Sequence, residues 1–260
     1  MIDAALRPLI EAREHDPFHV LGWHRDGQAW RLRVFRPHAT AVAAQIDGEW
    51  RALQRVAKTD FFEWSGDVAD AAPARLKIDE GGHTFEIIDP YSFPPRPLEQ
   101  AQHYFAEGTN YQSYRLLGAQ PESRDGVAGV TFRVWAPNAG RVSLVGEFNR
   151  WDGRTHPMCS LGASGAWELF MPGLADGALY KFEIRNRNSG AVLTKTDPYA
   201  RQYERRPATA ARVTADSAYA WNDGEWLARR AQWDWQPAPM SVYEIHPGSW
   251  MRHPDGSFYG

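Results

Sequence analysis

The sequence predicts an all-β chain built from two tandem sandwiches. Three observations lead there: short runs in which apolar and polar residues alternate, a turn-forming pair between most neighbouring runs, and a stretch of chain that returns in modified form. Arg33-Val34-Phe35-Arg36-Pro37-His38-Ala39 reappears as Arg133-Val134-Trp135-Ala136-Pro137-Asn138-Ala139, an offset of 100 residues (33 to 133). Leu76-Lys77-Ile78 lines up with Tyr180-Lys181-Phe182 at an offset of 104, and Asp89-Pro90-Tyr91 with Asp197-Pro198-Tyr199 at 108. Order is kept while the offset drifts, as it does when loops vary between two copies of one fold.

In chain order, Ala4 to Glu14 is expected to form a short amphipathic helix ahead of the first copy. The run Trp30 to Phe35 then alternates with the period of a strand, as do Val130 to Trp135 and Tyr180 to Ile184 in the second copy. Arg141 to Val145 and Ala166 to Phe170 are shorter runs of the same character. Asp26-Gly27, Asp47-Gly48, Gly81-Gly82, Asp152-Gly153 and Asp176-Gly177 supply the turns. Many short alternating strands at close spacing describe an antiparallel, immunoglobulin-like sandwich. Ser92-Phe-Pro-Pro-Arg-Pro97 reads as a stiff hinge between the copies. A second linker falls within residues 205–226, and a turn of helix is expected near Asp223 to Ala231.

Composition narrows the function. The 260 residues carry 29 Lys and Arg against 32 Asp and Glu, a net charge of −3, with no block of like charge. A nucleic-acid partner is therefore not expected. The apolar runs are far too short to span a membrane, and charges interrupt the amino terminus, so neither a membrane segment nor a signal peptide is expected. The single cysteine, Cys159, fits a reducing cytoplasm and is expected to be a small core residue. The anomaly is aromatic content: 12 Trp, 10 Tyr and 12 Phe. Trp covers the apolar face of a sugar ring and also fills sandwich cores, so position has to decide.

Several motifs taken together resemble the glycogen (1,4-α-glucan) branching enzymes of glycoside hydrolase family 13. Asp16-Pro-Phe-His-Val-Leu-Gly22 resembles the opening of that family's first amino-terminal module. Leu117-Gly118, Asp125-Gly126-Val127, Phe132 to Asn138, Arg141 to Gly153 and Tyr180-Lys-Phe182 resemble carbohydrate-binding module family 48. Ser241-Val-Tyr-Glu-Ile-His-Pro-Gly-Ser-Trp250 resembles the first strand and loop of the catalytic barrel, with Pro247 where many members carry a larger aliphatic residue. The second module alone would be shared with debranching and trehalose-releasing hydrolases and with free-standing glycogen-binding proteins. The combination with a first module and Gly248-Ser249-Trp250 favours the branching enzymes.

The resemblance implies three parts: residues 1–105 as helix plus first sandwich, 106–224 as second sandwich, and 225–260 as the start of a (β/α)8 barrel. It also implies cleavage of an α-1,4-glucan and transfer of the released chain to a 6-hydroxyl. That retaining chemistry needs two carboxyl groups ~5–5.5 Å apart, which the family carries on later barrel strands. No catalytic residue is therefore expected in this chain. Glu244, in an apolar run, is expected to be structural, and His246 and His253 to be loop residues. The run Val242 to Ile245 lacks the following crossover that a parallel strand needs. The chain is thus expected to be truncated, loosely packed from about residue 237, and partnered by its missing barrel. The site that the resemblance implies is a glucan contact, with Trp151 stacking on a glucose ring and Lys181 reaching its hydroxyls, and Asn149 beside them is expected to add a hydrogen bond. Trp50 is the candidate counterpart in the first copy, although Asp47-Gly-Glu-Trp50 departs from Phe148-Asn-Arg-Trp151. Trp135 and Trp167 are expected in the core, and the two Asp-Pro-Tyr segments as turns. No metal and no cofactor are expected, and the sequence assigns no oligomeric state.

Overall fold

The computed structural model describes residues 4–69, 71–96, 103–105, 107–215, 219–246 and 250–258. The chain divides into two compact units, Met1–Asp216 and Ser217–Gly260.

The first unit holds both sandwiches. In the first, β1 (Gly22–Asp26), β2 (Ala29–Phe35), β3 (Ala39–Ile46), β4 (Glu49–Ala52), β5 (Gln54–Arg55), β6 (Phe61–Gly66), β7 (Arg75–Glu80) and β8 (His83–Ile88) form two antiparallel sheets, ordered β1-β2-β6-β5 and β4-β3-β7-β8. In the second, β9 (Gly118–Arg124), β10 (Val127–Trp135), β11 (Ala139–Gly146), β12 (Cys159–Ser160), β13 (Ala166–Pro172) and β14 (Leu179–Asn186) are followed by β15 (Val192–Lys195), β16 (Gln202–Tyr203) and β17 (Ala211–Arg212). One sheet runs β9-β10-β13-β12, the other β11-β14-β17-β16 with β15 also on β14.

The first sheet of each copy thus has the same order, and the registers match residue for residue. Arg33 on β2 stands opposite Glu63 on β6, and Arg133 on β10 opposite Glu168 on β13. In both copies the pair is a salt bridge. A β-bulge falls at Ala39/Ala41 in β3 and recurs at Ala139/Arg141 in β11. Gly22 and Gly118 open their copies with φ of +84° and +88°. A Cβ there would sit 2.5 Å from the Tyr91 carbonyl oxygen in one copy and 3.1 Å from that of Tyr199 in the other. The glycines and the Asp-Pro-Tyr segments are therefore one device, used twice. One expected correspondence shifts. Val42 pairs with Ile78 and Val142 with Ile184, so the offset at β7/β14 is 106 and not 104. Lys77 stands opposite Ala43, whereas Lys181 stands opposite Val145, two residues further along.

Two apolar clusters hold the unit together. The first sandwich closes over Leu32, Val34, Val42, Ile46, Phe62, Leu76 and Ile78. The other cluster joins the second sandwich's interior to Leu6, Leu9, Leu21, Phe35, Phe61 and Tyr91, so the two copies share a continuous core. The Pro-rich segment is no free spacer. Phe93 packs edge-on against Phe170 at 4.9 Å, and the Arg96 backbone N–H donates to Glu168 at 3.2 Å. This covers the outer face of β10 and β13, which explains why Thr131, Arg133 and Glu168 are buried on that side. Trp167 lies in the core as expected. Trp135 does not: at the end of β10 it is 54% exposed, with its indole N–H donating to Ser164 O. Strand alternation turns Val134 inward at this point and Trp135 outward. The amino-terminal helix is shorter than expected, a 3-10 turn Ala4–Leu6 leading into Arg7–Ile10. Cys159 is buried, and burial with Asp16 nearby pushes its thiol up, which keeps it protonated.

The second unit contains the helix Gly224–Gln232, close to where the sequence placed one. Residues 241–246 form no strand, and Val242, Tyr243 and Ile245 are exposed. A strand is defined by its neighbour, and among the described residues this run pairs with none. Pro247, Gly248 and Ser249 lie outside the described residues. No helix among the described residues is long and apolar enough to cross a membrane.

Candidate functional site

The candidate site is built on the turn that follows β11. Gly146 ends that strand, and a Cβ there would meet the Leu179 carbonyl oxygen and the Phe148 ring, each at 2.3 Å. Only glycine fits, so the chain can fold tightly into the 3-10 turn Glu147–Asn149. Arg150 and Trp151 follow with φ of +55° and +61°. Two successive non-glycine residues in the left-handed region cost about 1–2 kcal/mol each, so the surroundings must hold them there.

Asn149 is the first restraint. Its Oδ1 accepts from the Gly146 N–H at 2.9 Å; its Nδ2 donates to Leu144 O at 2.9 Å and meets His156 Nδ1 at 2.9 Å. Burial pushes His156 well below the usual imidazole range, so the ring is neutral and Nδ1 accepts. Asn149 is 6% exposed, and its amide is engaged by protein groups where a hydrogen bond to sugar was expected. It positions the turn from beneath. The Trp151 N–H donates to Gly146 O at 2.9 Å and closes the turn.

The second restraint comes from the other sandwich, and no motif in the chain signals it. Arg150 Nε lies 3.0 Å from Glu80 Oε1, at the end of β7. His38 Nε2 lies 2.8 Å from Asp152 Oδ2. The residues on either side of Trp151 are thus both held by the first sandwich. Partial burial alone would raise the Asp152 carboxyl, but hydrogen bonds from Arg154 and His38 outweigh it and hold it at about 2. Residues 38 and 80 lie far from 151 in sequence, and no local pattern could have linked them.

Held in this way, Trp151 is 39% exposed. The Lys181 ammonium, reaching over from β14, lies 6.0 Å from the Trp151 ring centroid. Lys181 Nζ also donates to Thr209 Oγ1 at 2.7 Å, which fixes the head of a flexible side chain and leaves two N–H donors. The structure therefore brings two of the three expected residues together on the surface and puts the third underneath. A half-exposed indole beside a steered ammonium offers an apolar face and hydrogen-bond donors at its edge. Such a surface suits a neutral ring with axial C–H groups on one side and hydroxyls around its rim.

Two family models match separate stretches of the chain. Residues 3–91 match the family model described as alpha-1,4-glucan branching enzyme GlgB, N-terminal domain. Residues 116–200 match carbohydrate-binding module 48, the isoamylase N-terminal domain. Among curated relatives, the 1,4-alpha-glucan branching enzyme GlgB of Nitrosospira multiformis is 49% identical over 262 residues, covering 99% of this chain and 35% of its own. The protein of the same name from Methylobacillus flagellatus is 49% identical over 258 residues, covering 99% and 36%. That of Methylococcus capsulatus is 49% identical over 252 residues, covering 96% and 34%. The chain spans about a third of the length of the curated relatives it matches.

Proposed function

We propose that this chain acts as the amino-terminal region of a glycogen branching enzyme, a reading supported by the match of residues 3–91 to the branching-enzyme amino-terminal-domain model and of residues 116–200 to carbohydrate-binding module 48. The whole enzyme cleaves an α-1,4-glucan and passes the released chain to a 6-hydroxyl. This region's part is to bind α-glucan and present it to the catalytic barrel. In the same reading, residues 1–105 and 106–224 are the two modules, residues 225–260 begin the barrel, and the protein works in the cytoplasm.

The observation that carries the binding role is the pairing of Trp151 with Lys181 on an exposed turn that two sets of buried or inter-module contacts hold in place. Trp151 stacks on the apolar face of a glucose unit, and the free donors of Lys181 reach its hydroxyls. Asn149, His38 and Glu80 touch no sugar; they set the angle at which the indole is offered. None of the residues described here is given a catalytic role, since glycosyl transfer with retention needs two carboxyl groups placed on either side of the scissile bond.

The test of the activity is the protein carrying this chain together with the remaining two-thirds found in its relatives, incubated with amylose. Branching lowers the iodine colour and creates α-1,6 linkages that a debranching enzyme removes. Products shortened without new α-1,6 linkages would place the protein with the hydrolases of the same wider family.

A further inference from the structure

The first sandwich carries a second aromatic platform, on the sheet that corresponds to the one bearing Lys181. The core side of that sheet is fixed by Val42, Ala44 and Ile46 on β3 and by Leu76 and Ile78 on β7, all buried. Alternation then sends Ala43, Gln45 and Lys77 to the outer face. Trp50 on β4 stands directly opposite Gln45, and Lys77 stands opposite Ala43 on one side and Glu86 of β8 on the other. Ala43 and Ala52 face each other as well, so the floor between these side chains is low and flat.

On this floor Trp50 is 37% exposed, and the Lys77 ammonium lies 4.3 Å from its ring centroid. Glu86 is held from two sides, 3.7 Å from Lys77 Nζ and 3.3 Å from Arg75 Nη2. Gln45 and Arg75 also line a groove of about 410 Å³ that continues past the Asp47–Gly48 turn to Trp23. The surface therefore combines an indole face, an amide, a carboxylate, an ammonium and a guanidinium. Planar groups of this kind match pairs of neighbouring hydroxyls, and both cations are already engaged by the Glu86 carboxylate between them, which suits a neutral polyol.

The second copy arrives at the same chemistry by a different residue. There the aromatic follows β11, the counterpart of β3 by its bulge, and the lysine stands on β14, the counterpart of β7. Yet Lys77 and Lys181 are two register positions apart, and Trp50 sits in a strand where Trp151 sits in a turn. Descent from a common ancestor does not by itself place an exposed Trp within reach of a Lys twice when neither residue is the counterpart of the other.

We infer that the Trp50, Gln45, Lys77 and Glu86 face of the first sandwich is a separate binding site for a stretch of α-1,4-glucan chain. The choice of ligand rests on the reading of Trp151 above. Two sites on one rigid unit bind a branched polymer more tightly than either alone, because the second contact forms at high local concentration.

The test uses the 260-residue chain with single Trp50→Ala and Trp151→Ala changes and the double change. Gln45→Ala serves as a milder perturbation of the same face. Each is run through glycogen-containing gels and titrated with maltoheptaose, after circular dichroism shows the sheets intact. Trp50→Ala and Gln45→Ala are expected to weaken glycogen binding, the former by about five- to tenfold as one arm of a two-point contact is lost. Trp151→Ala is expected to leave residual binding that the double change removes. If Trp151→Ala abolishes binding while Trp50→Ala and Gln45→Ala change nothing, the second site is refuted and the Trp151 site stands. If the double variant binds as the parent does, both are refuted.

Discussion

Replacing Asn149 by Ala separates two accounts of that residue. The change removes three contacts of 2.9 Å, to the Gly146 N–H, Leu144 O and His156 Nδ1, all inside the protein. Stranding a buried backbone donor costs about 1–3 kcal/mol, and each further neutral hydrogen bond contributes about 1 kcal/mol. Relaxation of one residue, Arg150, out of the left-handed region returns about 1 kcal/mol of this gross loss of about 3–5 kcal/mol. The net expectation is a loss of about 2–4 kcal/mol. With a urea slope of about 1–3 kcal/mol per molar, the unfolding midpoint falls by roughly 1–2 M. Once the turn relaxes, Trp151 no longer presents its face, and glucan affinity drops by about tenfold, equivalent to ~1.4 kcal/mol. Tryptophan fluorescence against urea gives the first quantity and maltoheptaose titration the second. A variant of parental stability that has lost binding would mean that Asn149 touches sugar directly. A variant unchanged in both would mean that the turn does not depend on it.

Two further outcomes are expected. Glu168 is fully buried and bonded to Arg124 at 2.8 Å and Arg133 at 2.7 Å, so Glu168→Gln takes the paired carboxylate from the enclosed Arg133 guanidinium and leaves Arg124 with Glu122 alone, at 2.7 Å. The loss should be about 3–5 kcal/mol in urea unfolding, and a loss under about 1 kcal/mol would contradict the assignment of that network. Asp89 is buried, and burial raises its carboxyl to about 7 against the opposing pull of Arg36 and the Tyr91 N–H. Between its ordinary value of 3.8 and about 7 the folded protein holds a proton that the unfolded chain has released, so this group's contribution to stability is full below 3.8 and falls as pH rises through that window. Asp89→Asn should flatten the dependence of the thermal midpoint on pH between about 4 and 7. A slope equal to that of the parent would show that Asp89 is not its source.

Much of this architecture could be read from the chain, and what could not has a physical reason. Arg33-Val-Phe and Arg133-Val-Trp mark one strand in two copies because strand period and a salt bridge on the outer face of the sheet constrain them alike. The Lys77 and Lys181 match failed by two residues because alternation repeats every two: a slip of that size leaves the inside and outside pattern unchanged and cannot be seen without the partner strand. The alternation of Val130, Phe132 and Val134 already points Trp135 outward, so its exposed side was legible in the strand period and aromatic character alone misleads. Trp151 and Lys181 are named by the resemblance to the module family, and the folded chain sets them side by side. Whether Asn149 faced sugar or protein depended on Leu144 and His156, which only the folded turn brings together. The inter-module contacts of His38 and Glu80 have no local signature at all. Val242 to Ile245 shows the limit of reading from pattern: apolar residues indicate capacity for a strand, and a ladder partner is needed to make one.

Glucan binding by this turn rests on Trp151, and affinity electrophoresis of the chain and its Trp151→Ala variant through glycogen gels tests it. An exposed aromatic anchor removed from the centre of a contact costs about 2 kcal/mol, roughly thirtyfold in affinity. The account predicts that glycogen retards the parent chain and that the variant loses most of this retardation while its circular dichroism is unchanged. A parent chain that glycogen does not retard, or a variant retarded equally, would contradict the claim that this turn binds glucan.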